Sequence, residues 1–118
     1  MREIPSFIAG DFTKIREVLH PKNDDLDLGY SLALAELGQG ESSVPHILKE
    51  SSEVYIILSG RGEAIIDGTY FPMETGDMIH IPAKAVQHFR NTGEEAVRFL
   101  CVVSPPWSKD QEVIVEIE

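Results

Sequence analysis

The residues between Gly40 and Gly60 offer the clearest chemistry in this sequence. A glycine-bounded loop leads to His46, and Glu53 follows seven residues later at the start of an apolar run. A neutral imidazole is a common ligand for divalent metals, whereas an inward-facing carboxylate on an apolar strand is costly unless it is paired or bound to a cation. We therefore interpret His46 and Glu53 as members of one site, with Glu53 as a metal ligand or a general base.

The elements that would position these side chains are mostly strands. The chain has 118 residues, of which 42% are hydrophobic and 25% charged, and this composition fits one domain with its own core. After residue 30, β-branched residues are interrupted by frequent Gly and Pro, a pattern that favours an all-β fold. Asp67-Gly68 lies between two β-rich runs and predicts a two-residue hairpin turn, because that turn needs a positive φ at both positions.

The first 29 residues differ from the rest of the chain. Asp11 can cap a short helix. Apolar residues follow with the spacing of three and four that a helix requires: Phe12, Ile15, Val18 and Leu19. Pro21 would end this helix, because proline pushes the preceding residue out of the helical region. The pattern predicts an N-terminal arm and a short helix that lies across the mouth or edge of the sheet.

The net charge of −10 argues against two classes of partner. An acidic surface repels phosphate backbones and anionic lipids, so we expect neither nucleic acid nor a membrane as a partner. The sequence has no apolar run of membrane-spanning length, and its first residues lack the apolar stretch of about 7–15 residues typical of a signal peptide, so we expect a cytoplasmic protein. Cys101 is the single cysteine, and its apolar surroundings indicate a core residue.

Two predicted strands, within residues 54–58 and 96–103, are apolar on both faces. An antiparallel sheet with one solvated face should instead alternate between apolar and polar residues. The second face of these strands is therefore expected to be covered, either by the N-terminal segment or by another subunit. We predict a homodimer that forms through this outer face.

The spacing around His46 resembles a known motif. Gly40, His46, Glu53 and Gly60 are separated by five, six and six residues. This pattern is similar to the first motif of the cupin superfamily, G-x5-H-x-H-x(3,4)-E-x6-G. One identity differs, because Leu48 stands where the motif has its second histidine.

Residues 76–91 resemble the second cupin motif, G-x5-P-x-G-x2-H-x3-N. Gly76, Pro82 and Asn91 match it, while Lys84 replaces the internal glycine and Gln87 replaces the histidine. The resemblance covers about residues 30–104. It implies an all-β jelly-roll barrel over residues 30–118, with the arm and helix of residues 1–29 packed on it.

The resemblance also implies one divalent metal ion at the mouth of the barrel. In the superfamily the ligands are the two histidines and the glutamate of the first motif and the histidine of the second. Carried over by position, the ligands here are His46, Glu53 and Gln87, since Leu48 cannot bind a metal. The expected ion is Zn, Mn, Fe or Ni. Gln87 would bind through its amide oxygen, or it would form a hydrogen bond to His46 or Glu53 in a metal-free pocket.

Two other histidines lie near the second motif. Successive side chains of a strand point to opposite faces, so if Gln87 faces the interior then His88 faces outward. A bulge near Lys84 could still turn His88 inward. His80 fits a rim or surface position better than that of a further ligand.

Two functions from different classes fit these residues. The first is a metal-binding cupin that binds or acts on a small oxygen-rich ligand, a sugar or an organic acid, as an isomerase or oxygenase with Glu53 as the catalytic residue. The second is a non-enzymatic ligand-binding or sensory cupin with a degenerate metal site, which Leu48 favours. A purely structural oligomerisation module is a third reading, and enzymatic activity is left open because this fold hosts many activities.

Overall fold

The computed structural model describes residues 6–9, 11, 13–24 and 27–116. These residues form two antiparallel sheets around one core, with a short 3-10 helix at Lys109–Gln111. No helix of the described ranges is long and apolar enough to span a bilayer. The strands in chain order are β1 Phe7–Ile8, β2 Lys14–Leu19, β3 Ser31–Leu37, β4 His46–Leu48, β5 Ser52–Ser59, β6 Arg61–Ile66, β7 Thr69–Glu74, β8 Met78–Ile81, β9 Gln87–Asn91, β10 Val97–Ser104 and β11 Glu112–Ile114.

The strand order defines a jelly roll. One sheet has six strands in the order β1-β2-β3-β10-β5-β8, and the other has five in the order β11-β4-β9-β6-β7. Strands that are distant in sequence are neighbours in both sheets, such as β3 with β10 and β4 with β9. The chain therefore crosses between two layers instead of forming successive hairpins. This confirms the predicted all-β jelly-roll barrel.

The predicted N-terminal helix is wrong. Residues 14–19 form β2, which pairs antiparallel with β3 and places Glu17 opposite Ala33. An isolated helix of this length is marginal in water, whereas pairing with β3 satisfies backbone groups that an open sheet edge would leave unpaired. Ile15 and Glu17 then line the interior, as alternate strand residues do. Phe12, part of the predicted helix, lies outside the described residues.

The predicted hairpin turn at Asp67-Gly68 is confirmed. Both residues have a positive φ, 49° at Asp67 and 83° at Gly68. The flanking strands β6 and β7 pair with Ile66 opposite Thr69. The Val86 N–H also donates to Asp67 Oδ1 at 2.8 Å, which ties this turn to the segment that precedes β9.

Three aromatic rings form the centre of the core. The ring centroids of Tyr55 and Phe99 are 4.9 Å apart, and those of Phe89 and Phe99 are 4.8 Å apart. Gly62 packs against Phe89 so closely that a Cβ at position 62 would come within 2.3 Å of a ring atom. Cys101 belongs to the same buried cluster, which confirms it as a core residue.

Lys84 has the backbone conformation expected of a glycine. Its φ is 72°, and its N–H donates to the Leu48 carbonyl at 2.8 Å. The loop therefore keeps the left-handed residue for which the second motif uses glycine. After it, β9 runs in continuous register with β6 and places Gln87 inside and His88 on the outer face, so no bulge turns His88 inward.

We expect Lys84→Gly to raise the free energy of unfolding by about 0.5–1 kcal/mol. Glycine removes a left-handed penalty of about 1–2 kcal/mol but gives the unfolded chain more freedom, which costs about 0.5–1 kcal/mol. Lys84→Ala is the matched control, because it removes the same side chain and keeps the penalty. Chemical denaturation compares the two variants, and equal stabilities would contradict the expectation.

Candidate metal centre

A cavity lies between the two sheets beside the N-terminal strands. The volume of this cavity is about 70 Å³, which is several times the volume that one buried water molecule needs. Its walls carry apolar, aromatic and acidic side chains. The acidic and imidazole groups that line it are Asp11, Glu17, His46, Glu53 and Glu112.

Three of these groups lie close enough to share a metal ion. One ligand atom from each of Asp11, His46 and Glu112 lies within 4.8 Å of the other two. Strand β11 pairs with β4 and places Glu112 opposite Leu48, the next cavity-facing position after His46. Asp11 arrives from the turn before β2, where its carbonyl accepts a hydrogen bond from the Val44 N–H at 2.8 Å. The group is thus assembled from segments that are far apart in sequence.

A hydrogen bond to a backbone carbonyl defines the tautomer of His46. Nδ1 lies 2.8 Å from the Val44 carbonyl oxygen and 3.8 Å from Asp11 Oδ2. When Nδ1–H donates to this carbonyl, the lone pair is on Nε2. Metal-bound histidines commonly have this arrangement, with one nitrogen on the ion and the other donating to a carbonyl or carboxylate. The ring is 4% exposed, so packing holds its orientation.

Both carboxylates of the group are also held by hydrogen bonds. Asp11 Oδ1 accepts from the Thr13 N–H at 3.1 Å, within a turn and not at the start of the predicted helix. Glu112 Oε2 accepts from the indole Nε1–H of Trp107 at 3.0 Å. Since each of these bonds engages one oxygen, each carboxylate keeps a second oxygen for a cation.

Gln111 fixes the segment that carries Glu112. Its side chain is buried, its Oε1 accepts from the Ser51 N–H at 2.9 Å, and its Nε2 donates to Ser51 Oγ at 2.8 Å. These bonds tie the 3-10 helix to the chain just before β5. A buried amide therefore positions the strand start from which Glu112 reaches the cavity.

Glu53 is a separate buried acid in the same cavity. Burial, with smaller contributions from the charges of Asp11 and Glu112, raises the pKa of its carboxyl from 4.5 to about 8, while hydrogen bonds with Cys101 and Gln87 act in the opposite direction. At pH 7 most of this group is a neutral carboxylic acid. Such an acid can both donate and accept a proton near neutral pH.

Gln87 connects Glu53 to the aromatic core. Its side chain is 1% exposed, its amide forms a hydrogen bond with Glu53, and its Oε1 accepts from the Tyr55 hydroxyl at 2.5 Å. Burial raises the pKa of Tyr55 well above its usual value, so this hydroxyl keeps its proton. Gln87 also pairs with His46 across β4 and β9. The amide oxygen, which is its potential metal ligand, is thus already engaged by Tyr55.

Leu48, His88 and His80 offer this group no further ligand. Leu48 lines the cavity and is 2% exposed, at the position of the motif's second histidine. His88 lies opposite Ile65 on the outer face, where its buried Nδ1 has no hydrogen-bond partner. His80 is exposed on β8, opposite Val54, in agreement with the expected surface position.

Sequence reasoning missed Asp11 and Glu112 as members of a site. Both lie outside residues 40–91, so neither belongs to a motif. The available signal was an acidic side chain next to a strand, which many surface residues share. What brings them to His46 is the pairing of β11 with β4 and the contact of Asp11 with Val44.

The chemistry of this donor set fits a divalent metal ion. An imidazole suits Zn, Fe and Ni, and carboxylate oxygens suit Mn. Asp11, His46 and Glu112 offer one imidazole and two carboxylates. Their ligand atoms lie within 4.8 Å of one another, close enough to bind a single ion. Each of the three side chains also forms one hydrogen bond within the protein: His46 with Val44, Asp11 with Thr13 and Glu112 with Trp107. Hydrogen bonds of this kind orient metal ligands.

Fold and site together define a class of protein, a small jelly-roll barrel with an imidazole and several carboxylates in its cavity. Residues 33–103 match the family of cupin domains. The chain belongs to this cupin family, as the motifs indicated.

Known proteins are similar to this chain over different lengths. An uncharacterized protein of Methanocaldococcus jannaschii is 36% identical over 114 residues, which are 97% of this chain and 90% of that protein. The glucose-6-phosphate isomerase of Pyrococcus abyssi is 29% identical over 76 residues, but these cover 60% of this chain and 40% of that enzyme. Among solved structures, the Streptomyces nucleoside dehydratase Pac13 has a TM-score of 0.78 at 16% identity, over 98% of this chain and 87% of that one. At this identity the likeness concerns the fold.

We expect the free energy of unfolding of the metal-free protein to fall as the pH rises from 4.5 to about 8. In this window the folded protein retains the Glu53 proton that the unfolded chain releases, so rising pH favours unfolding by at most about 1.4 kcal/mol per pH unit. Glu53→Gln removes this titration, and its stability should fall less across the same window.

Urea unfolding in the presence of a chelator, at several pH values across this window, measures the difference. Glu50→Gln changes an exposed carboxylate and should behave as the wild type does. Parallel pH profiles of the wild type and Glu53→Gln would refute the raised pKa.

Proposed function

We propose that this protein is a small cupin that binds one divalent metal ion through Asp11, His46 and Glu112 and uses it to hold a small oxygen-rich ligand, a sugar or an organic acid. The observation that carries this proposal is the convergence of three ligand atoms within 4.8 Å on the wall of a cavity. The ion is Zn, Mn, Fe or Ni, and the protein acts in the cytoplasm. When bound, such an ion supplies Lewis-acid chemistry toward an oxygen of the ligand.

Glu53 gives this site a proton-transferring group. It lines the same cavity. Burial is the main cause that raises the pKa of its carboxyl, to about 8 in the metal-free protein, and burial favours the protonated form. Gln87 holds the carboxyl in place by a hydrogen bond, and the Tyr55 hydroxyl holds Gln87. Proton transfer by a positioned acid is the chemistry of an isomerase, so we propose isomerisation ahead of oxygenation. The Pyrococcus relative, a glucose-6-phosphate isomerase of which this chain covers 40%, supports isomerisation as the type of reaction and not the phosphorylated substrate.

The motif positions supply a competing ligand set, in which Glu53 and Gln87 join His46 on the metal. This set stays a prediction. Against it stands the engagement of the Gln87 amide oxygen by Tyr55. In its favour, Glu53 and His46 line the same cavity. In the first set, Asp11 and Glu112 bind the ion together with His46. In the second set, Glu53 and Gln87 do so, and substitutions at these four residues distinguish the two sets.

Leu48 favours a second function of a different class. Its buried side chain places apolar surface at a motif position where the family has a metal-binding histidine. A cavity of this kind suits a ligand-binding or sensory cupin that performs no turnover. In that case the cavity binds an organic ligand directly, and removal of metal leaves this binding unchanged.

We expect the purified protein to bind about one Zn or Mn ion per chain, as measured by elemental analysis and calorimetry. His46→Ala, Asp11→Asn and Glu112→Gln should each weaken this binding by at least about tenfold, because each removes or neutralises a ligand. His80→Ala is the matched control, since that histidine is exposed on an outer face, and it should bind as the wild type does.

The same titrations distinguish the two ligand sets. Gln87→Leu and Glu53→Gln should bind the metal more tightly than Asp11→Asn does. If they lose the ion and Asp11→Asn keeps it, the motif positions are the ligands. A protein that binds neither Zn nor Mn would end the metal proposal and leave the metal-free alternative.

We also propose that the protein is a homodimer. The outer face of the six-stranded sheet carries two apolar rows in register across β3, β10, β5 and β8. The first row consists of Leu34, Leu100, Ile56 and Met78, and the second of Leu32, Val102 and Val54, with His80 at its end. Monomeric proteins rarely expose a contiguous apolar surface of this kind.

A second copy of the chain fits this face better than the N-terminal segment does. Strands β1 and β2 lie at the edge of the same sheet and do not cover its outer face. Beside the apolar rows, Glu36 binds both Lys14, at 3.4 Å, and Arg98, at 2.8 Å. Such a mixed-charge border can meet its own copy across a two-fold axis, as isologous interfaces require.

We expect light scattering to give a mass of about twice the 13.1 kDa of one chain. Leu100→Glu places a charge in the middle of the apolar rows and should yield a monomer of unchanged secondary structure. Tyr70→Glu alters an exposed aromatic residue of the other sheet and should leave the dimer intact. A monomeric wild type would refute the proposed interface.

A further inference from the structure

The walls of the cavity are acidic. Its lining contains Asp11, Glu17, Glu53 and Glu112. Within the described ranges, His46 is the single imidazole of the lining, and no Lys or Arg takes part in it. The negative charge of these walls therefore disfavours negatively charged ligands.

Two arginines of the outer sheet faces are paired away from the cavity. Arg90 donates to Glu63 at 2.7 Å, and Arg98 donates to Glu36 at 2.8 Å. Both guanidinium groups are more than half exposed. Neither is placed to bind an anion inside the barrel.

Lys22 lies at the rim, next to two residues of the lining. Its Nζ is 3.8 Å from Glu17 Oε1 and 5.7 Å from the centroid of the Trp107 ring. Glu17 also accepts a hydrogen bond from the Asn23 amide. The positive charge at the rim is therefore already opposed by a carboxylate that faces the cavity.

A bound divalent ion does not reverse this balance. Its two positive charges match the carboxylates of Asp11 and Glu112 and leave none for a further anion, while the Glu17 carboxylate remains on the wall. A hydroxyl oxygen can approach the ion at no cost in charge. A carboxylate or phosphate would instead bring negative charge next to acidic side chains in a cavity of low dielectric constant.

The rest of the lining suits a ring with an apolar face. Tyr55, Phe99 and Trp107 contribute aromatic surface to the cavity. The Trp107 indole N–H is bound to Glu112, which fixes the orientation of its ring. Aromatic walls with a few polar groups are typical of sites for small organic molecules.

We infer that the cavity selects an uncharged polyhydroxylated molecule, of the monosaccharide or nucleoside class, and rejects its carboxylate or phosphate counterparts. This inference rests on the proposed function, because the metal ion is what compensates Asp11 and Glu112. Of the two proposed ligand classes it keeps uncharged sugars, including those of nucleosides, and excludes organic acids.

Matched pairs of ligands test the inference. Calorimetry on the Zn-loaded full chain compares glucose with glucose 6-phosphate and uridine with uridine 5′-monophosphate. The uncharged member of at least one pair should bind, and it should bind roughly tenfold or more tightly than its phosphate. Equal or tighter binding of the phosphates would overturn the inference, and so would the absence of binding by all four compounds.

The metal content of the same samples separates the two proposals. If the protein holds its ion and prefers phosphates, the inference about charge fails and the metal site stands. If the protein holds no ion, the proposed function itself fails.

A substitution that removes one negative charge tests the physical cause. Glu17→Gln removes one wall carboxylate and frees Lys22, so it should improve phosphate binding several-fold and narrow the ratio within each pair. Glu63→Gln removes an outer-face carboxylate and should leave the ratio unchanged. A ratio that Glu17→Gln does not alter would show that the wall charges are not the source of the selectivity.

Discussion

The burial of several acidic side chains around one small cavity is the constraint on which this structure depends. Carboxylates are costly to remove from water unless a proton, a hydrogen-bond donor or a cation compensates them. A proton compensates Glu53, whose pKa rises through burial and through the charges of Asp11 and Glu112. A backbone N–H donates to Asp11, and an indole N–H donates to Glu112. In the proposed function, a metal ion supplies the remaining compensation.

The jelly roll meets this constraint because both sheets contribute to the cavity. His46 and Glu112 come from neighbouring strands of the five-stranded sheet, and Glu53 comes from β5 of the six-stranded sheet. Asp11 is held at the mouth by a backbone hydrogen bond to Val44. These groups meet only in the folded chain, so a cation that binds them stabilises the folded state over the unfolded one. Metal affinity and fold stability are thereby linked.

Local signals in the sequence predicted most of the fold. The spacing of Gly40, His46, Glu53 and Gly60 indicated the barrel, and the Asp67-Gly68 pair indicated a hairpin through its backbone preference alone. The N-terminal segment was misassigned because residues 14–19 are too few to separate a helical spacing from a strand alternation, and the open edge of β3 decided between them. The group of Asp11, His46 and Glu112 could not be predicted, since it depends on pairing between distant strands that no local pattern encodes.

Two of the three departures from the cupin motifs, Leu48 and Gln87, have a shared electrostatic consequence. Leu48 and Gln87 replace imidazoles, and in the proposed site two carboxylates take over as ligands. A divalent ion bound by histidines and a single glutamate keeps one positive charge uncompensated, which attracts anionic ligands. With Asp11 and Glu112 both bound, the same ion is neutralised, and the acidic walls give an anion no favourable partner. The replaced histidines therefore alter the charge of the centre as well as its geometry, and that charge determines which oxygen-bearing molecules can approach the ion.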